Sequence, residues 1–563
     1  MAIKRHKRGN RVYLAEYKNV REGKKVKSEF IRYLGPEDEV KAGRMPKKRV
    51  LDRINMSHSL RAGDVDLLWR IAQDLDFVGT IDTFCCGESL ISGPSPGKFL
   101  TVWAINRAID PESCTQLERW VPTTDLPRLV GISAEAFTKD SFLASLDFVC
   151  SNDPLAGRIV DHTAVINEAL YQRWRNISPL PAGTKETVAY DLTSILFFGV
   201  DCPMAELGRN PANAKRRQVN LSLLVSKRDK YPLMHFVFNG SRNGVSTVKN
   251  LMAWLNDSAA EPGTLIWDRG NVSKDHVTIV EEAGWNLICG VPQTSKAAQA
   301  LVENTEVPIG PTTHARGTRG SHLYAIKKRG SLYGKEQTVV VYVNPSRKVG
   351  KIDSLNEELA IIGQELDALS GKGKDLPESE LHQKIDDIVG PLGNYVHTRV
   401  KRRCDGQRIE WKYMTRKLDE EERSVGKWLL LSTDGSLSAK EILTEYIEKD
   451  FIEKVFRIVK TDEEVEPVRH RLEHRVRAYM FVCVLAYRLL AVLQWKLREA
   501  TGKDDSWERA EDLLRRLARV ERVDVGFGKE VKTWFLNLSK QDADTLSKIG
   551  MPDLLKEERR LCV

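Results

Sequence analysis

Thr187-Val188-Ala189-Tyr190-Asp191-Leu192-Thr193-Ser194-Ile195-Leu196 is a strand-like run of β-branched and apolar residues with one acid inside it. Working outward, Gln218–Val225 and Leu233–Phe238 read as two further strands. A helix over Ser246–Leu255 leads into a strand at Thr264–Trp267, and a helix over Lys274–Ala283 leads into a strand at Asn286–Cys289. Three consecutive strands followed by alternating helix and strand describe an α/β sheet of mixed direction.

That succession is also the order of the ribonuclease-H-like fold, although unrelated activities share such scaffolds. Two acids end strands in it. Asp191 follows Ala189-Tyr190, and Asp268 follows Leu265-Ile266-Trp267 and precedes Arg269-Gly270. Strand ends in α/β sheets combine a rigid support with open loops, which suits chemistry. Taken singly, each Asp also reads as a helix N-cap or turn former. A third acid, Glu453, lies on a helix-like stretch with Tyr446, Lys449 and Lys460. At 100° per residue the four share an arc of about 60° on one helix face. The ordinary reading of such a stripe is a solvated charged face.

Converging carboxylates raise one another's proton affinity, and divalent cations reverse this by holding them ionised. An all-oxygen ligand set of Asp191, Asp268 and Glu453 favours Mg²⁺, with Mn²⁺ as an alternative. Two such ions would serve a water or a 3′-hydroxyl as nucleophile and the leaving oxygen. Lys449 and Lys460 would then grip phosphates beside the scissile bond.

The flanks add a charge asymmetry. Residues 1–50 hold 16 Lys and Arg against 6 Asp and Glu, whereas the whole chain of 563 residues carries a net charge of +9. The body is thus nearly neutral and the excess charge is N-terminal, as suits a polyanion partner or a solubilising tail. Within this arm, residues 11–35 read as a β-hairpin, followed by a basic linker, Lys41 to Arg49. Residues 51–180 read as mainly helical. The α/β core takes 187–296 and 427–495. Between its halves, 297–426 reads as a largely β insertion, with a β-run at Thr338–Val343 and a hairpin turn at Asp405-Gly406. Residues 496–563 read as helical.

Nine cysteines are scattered without a Cys-x-x-Cys pair, which argues against a zinc ribbon and suits a reducing cytoplasm. The apolar stretch Ala478 to Trp495 contains Arg488 and Gln494, so it reads as a buried core helix rather than a membrane span. His470 and His474 stand four apart among arginines, which reads as a basic face rather than a metal pair. Trp267 and Trp411 read as core residues, with base stacking as the alternative.

Tyr446-x2-Lys449-x3-Glu453-x6-Lys460 resembles the Tyr-x2-Arg-x3-Glu-x6-Lys signature of the DDE transposases of bacterial insertion sequences. Lysine replaces the signature arginine, which keeps the charge and loses the planar fork. Tyr190-Asp191-Leu192-Thr193 resembles that family's first-Asp motif, and Asp268-Arg269-Gly270 its second. The β-rich gap before the Glu and the N-terminal hairpin ending Tyr33-Leu34-Gly35 agree with it. The resemblance implies Asp191, Asp268 and Glu453 as catalytic metal ligands, and Tyr446, Lys449, Lys460 and Arg269 as DNA or phosphate contacts. It implies a bacterial, cytoplasmic, DNA-associated homodimer that binds double-stranded inverted-repeat ends. Such a dimer nicks the ends and joins their 3′-hydroxyls to target DNA. A nuclease without strand transfer, and a DNA-binding protein with a dead centre, are the alternatives.

Overall fold

The structure, a computed structural model, describes residues 2–9, 11–22, 25–43, 54–86, 94–153, 155, 157–199, 201–210, 215–317, 320–372, 376–403, 406–462, 468–502, 509–527, 530–556 and 558–561. Most of the basic linker, from residue 44 on, and Asp405 of the expected hairpin turn lie outside them.

The chain forms two compact units. The first comprises Met1–Leu60, Val520–Asn537 and Leu555–Val563. Its N-terminal sheet has three antiparallel strands, Ala2–Arg8, Arg11–Glu22 and Lys25–Pro36, one more than the expected hairpin. A second sheet joins Ile54–Met56 to Glu521–Phe527, Glu530–Leu536 and Glu558–Leu561. The C-terminal region is therefore not simply helical. The alternation in Val520-Glu521-Arg522-Val523-Asp524-Val525 is a strand period, with Val523 and Val525 buried.

The second unit, Arg61–Arg519 with Leu538–Leu554, is built on a ten-stranded mixed sheet. Nine strands form its path: β1 (Thr187–Leu196), β2 (Arg217–Ser226), β3 (Pro232–Asn239), β4 (Thr264–Trp267), β5 (Asn286–Val291), β6 (His314–Arg316), β7 (His322–Leu332), β8 (Lys335–Val343) and β9 (Lys427–Ser432). Their spatial order is β3-β2-β1-β4-β5-β9-β8-β7-β6, and the short strand Glu206–Leu207 pairs with β2. Strands β1, β4 and β5 run parallel, and the remaining pairings are antiparallel.

The expected β insertion is thus corrected. Its β-run belongs to β8, inside the main sheet and paired with β7 and β9. Five successive residues, Val339 to Val343, signal a strand covered on both faces, and such a run does not reveal which sheet owns it. What remains is more helical than β. Helices Pro345–Lys372, Glu378–Val389 and Thr415–Ser424 accompany the hairpin Val396–Arg403/Gly406–Tyr413. Leu359, Leu366, Leu381, Ile385 and Ile409 give it a core of its own.

Both faces of the main sheet are packed. Val188, Tyr190, Leu265, Trp267, Leu287 and Cys289 face helices Val248–Asp257 and Lys274–Glu282. Ile266, Ile288, Val340 and Leu430 face the other way, against α1 (Ala439–Glu448) through Ile442 and Leu443. After α1 come α2 (Asp450–Arg457) and, later, α3 (Glu473–Thr501). α3 is long and apolar enough to cross a membrane, yet 94% of its most apolar window is buried inside the protein. Arg488 in its middle is fully buried and donates to the carbonyl oxygens of Pro232 and Leu233 and to Asn167 Oδ1. Those hydrogen bonds offset the cost of burying a cation. α3 is a core helix, as its sequence suggested.

Candidate active site

Strand register brings two of the acids side by side. β1 and β4 pair in parallel, with Tyr190 beside Trp267, so the next residues, Asp191 and Asp268, are neighbours; Asp268 stands just past the end of β4, whereas Asp191 lies in the middle of β1 and not at a strand end as expected. Side chains alternate along a strand. Tyr190 and Trp267 point into one core, so Asp191 and Asp268 turn to the opposite face, where α1 lies.

From α1, the Tyr446 hydroxyl donates to Asp268 Oδ1 at 2.7 Å. The Arg269 N–H donates to the same oxygen at 2.9 Å, and the Leu192 N–H donates to Asp191 Oδ1 at 2.8 Å. A capping box of Ser438 and Glu441 starts α1 and so fixes the phase in which Tyr446 arrives. The approach depends on Gly290 of β5. A Cβ there would stand 2.7 Å from Tyr446 Oη and 3.3 Å from the Arg269 nitrogen.

The signature stretch is not one straight helix. α1 ends at Glu448, Lys449 forms a turn, α2 resumes at Asp450, and a wide π turn covers Ile458–Asp462. Phe451, Ile452, Val455 and Phe456 of α2 are buried, which leaves Glu453 exposed beside the acids. The Lys449 ammonium lies 5.3 Å from the centre of the Tyr446 ring, and its charge acts on Asp191, Asp268 and Glu453 together. Lys460 donates to the Ser194 carbonyl oxygen and so ties the π turn to β1. Arg269 is exposed, on a one-turn 3-10 helix directly after Asp268.

The electrostatics register this convergence. Burial pushes Asp191 up to about 6. The Leu192 N–H and Lys449 oppose that rise, and the negative charges of Asp268 and Glu453 add to it. Burial also pushes Asp268 upward, but Lys449, the Tyr446 hydroxyl and the Arg269 N–H outweigh it and hold the carboxyl below its ordinary value. Glu453 is raised by partial desolvation against the pull of Lys449, with Asp450 and Asp268 reinforcing the rise. Burial first, then the Asp268 charge, drives the Tyr446 hydroxyl far upward, so it stays protonated as a donor.

An open cavity of about 1000 Å³ adjoins Glu453, lined also by Tyr342, Asn344, Arg347, Trp428 and Arg457 among others. The Tyr342 and Trp428 rings are stacked, their centroids 5.4 Å apart. Among the described residues, no three His, Cys, Asp or Glu side chains stand close enough to hold one metal ion between them. The three acids are an all-oxygen donor set, the chemistry that hard cations take, and they repel one another electrostatically.

No family model matches the sequence, and no curated protein matches it. Among the solved structures that align with the chain is a piggyBac transposase synaptic complex with hairpin DNA; the alignment covers 81% of this chain and 79% of that one, at a TM-score of 0.40 and 10% identity.

Sequence reasoning missed Gly290, whose one local signal is a glycine inside the apolar run Leu287–Val291. Tyr446 and Lys460, expected as DNA or phosphate contacts, each donate a hydrogen bond within the protein. Trp267 is fully buried in the core, and the Trp411 N–H donates to Asp367. His474 pairs with Asp147 at 3.1 Å, while His470 packs among Trp103 and Tyr479.

Proposed function

We propose that the chain is a DDE-type DNA transposase, which cuts transposon ends in double-stranded DNA and joins the freed 3′-hydroxyl to a target. The observation that carries this reading is the parallel register that puts Asp191 and Asp268 on neighbouring strands, with Lys449 acting on both and on Glu453. The order β3-β2-β1-β4-β5, with β2 antiparallel to β1, supports a ribonuclease-H-like core. The signature resemblance around Glu453 supports the same assignment. We place the protein in the bacterial cytoplasm, acting as a homodimer on DNA.

Asp191, Asp268 and Glu453 would hold Mg²⁺ or Mn²⁺. Bound there, two such ions supply Lewis acidity for the attacking and leaving oxygens. The protein's own part is positional. Tyr446 and the Arg269 N–H fix the rotamer of Asp268 and keep it ionised. Lys449 offsets the repulsion among the acids before any ion arrives. Lys460 holds the π turn against β1, and exposed Arg269 is the side chain beside Asp268 best placed for a phosphate.

The test uses linear DNA carrying the sequences that flank the gene, with Mg²⁺ or Mn²⁺. Wild type should yield joined products, and Asp191→Ala, Asp268→Ala and Glu453→Ala none. Hydrolysis without joining would make the protein a nuclease on the same fold. Binding without cleavage by wild type would contradict a working catalytic centre.

A further inference from the structure

A second cavity, of about 790 Å³, shares no lining residue with the one beside Glu453. Arg107, Lys139, Arg469, Arg471 and Arg475 line it, against one acid, Glu112. Asp147 matches Arg475 through two hydrogen bonds of 2.7 Å, while the side chains of Arg469 and Arg471 are exposed at the surface. Trp103 also lines the cavity and is almost fully buried. A concentration of cations against a single lining acid suits an anion rich in acceptor oxygens.

The chain path links this cavity to the acids. Val468 bridges to Phe197, and its carbonyl accepts the Phe198 N–H at 3.0 Å, so Arg469 and Arg471 emerge at the end of the strand that carries Asp191. Six residue steps of extended chain lead from Asp191 to Phe197, roughly 20 Å at about 3.3 Å per step. A duplex with a phosphodiester at the acids has phosphates at every such distance, since it carries one charge per roughly 1.7 Å of axis.

We propose that this basic cavity binds a backbone phosphate of the DNA whose reactive phosphodiester lies at Asp191 and Asp268, and so sets the substrate's register. The inference rests on the transposase reading for its polyanion. The cavity takes the phosphate by charge, without reading base sequence.

The test measures full-length protein binding to a fluorescent duplex of about 30 base pairs across a salt series, in EDTA. The Arg469→Ala/Arg471→Ala variant should bind about tenfold more weakly at low salt, with a salt slope smaller by about 1–2. Lys384→Ala, on a surface helix of the insertion, should leave the slope unchanged. Circular dichroism melting of the double variant should match wild type, since both side chains are exposed. A slope equal to wild type would overturn the proposal, as would stabilisation by inorganic phosphate with no change in DNA binding, which marks a small-anion pocket. Because binding is read without metal, the two readings fail separately. Persistent cleavage with an unchanged slope removes only the phosphate site. A reduced slope without metal-dependent cleavage removes only the transposase. A wild type that binds no duplex removes both.

Discussion

At the scale of the residue, the site is governed by how burial and one ammonium group divide three carboxylates. Asp191 takes up its proton near pH 6, well above an ordinary aspartate. Between about pH 4 and 6 the folded chain therefore binds more protons than the unfolded chain, and its stability falls as pH rises through that window. Asp191→Asn removes this cost. In metal-free buffer it should stabilise the protein at pH 7.5, by about 1–2 kcal/mol after allowing for partial exposure, and leave stability near pH 4 unchanged. Thermal melts at the two pH values check this. Tyr446 and Lys449 act on Asp268 with the opposite sign. Tyr446→Phe removes a donor to a charged acceptor, worth roughly 1.5–3 kcal/mol. The pH midpoint of Asp268 ionisation, read from carboxyl NMR shifts in metal-free protein, should move upward, because Asp268 then ionises less readily. Lys449→Ala should move it the same way, and Lys449→Arg should restore it, because the position needs charge first. A midpoint unchanged in all three variants would contradict the electrostatic account.

At the scale of the element, the acids are placed by register and by one missing side chain. The alternation of Ala189-Tyr190-Asp191 and Ile266-Trp267-Asp268 could be read in the sequence as two strands. Their parallel pairing in matching register is a tertiary fact that local pattern does not carry. The helix face around Glu453 was legible as a periodicity, but its break at Lys449 was not, because no proline or glycine marks it. Gly290 was invisible for a related reason: its importance lies in what α1 brings across β5. Gly290→Ala should push Tyr446 away from Asp268. It should reproduce the pH shift of Tyr446→Phe and cost about 1–3 kcal/mol of stability through overpacking. The double variant Gly290→Ala/Tyr446→Phe should show no further shift in midpoint, and an additive shift would separate the two residues.

At the scale of the whole molecule, two features of the fold went unread for physical reasons. β8 looked like part of an insertion because sequence distance hides its pairing with β9. Of the C-terminal strands, Glu521–Phe527 pairs with Ile54–Met56, more than 450 residues earlier, and also with its sequence neighbour Glu530–Leu536, a local pairing whose strand alternation the helical reading passed over. The charge asymmetry was fully legible: the first 50 residues carry the net positive excess. A chain lacking residues 1–43 should lose duplex affinity at low salt by at least about tenfold, with a smaller salt slope. The second unit should keep its melting transition, because its cores contain no residue from that segment. The account depends most on the three acids acting as one metal site. An anomalous difference map from crystals grown with Mn²⁺ measures this directly. Peaks contacted by Asp191, Asp268 and Glu453, and abolished by Asp268→Ala, are the expected result. Mn²⁺ bound elsewhere, or at these residues without Glu453 among the ligands, would contradict it.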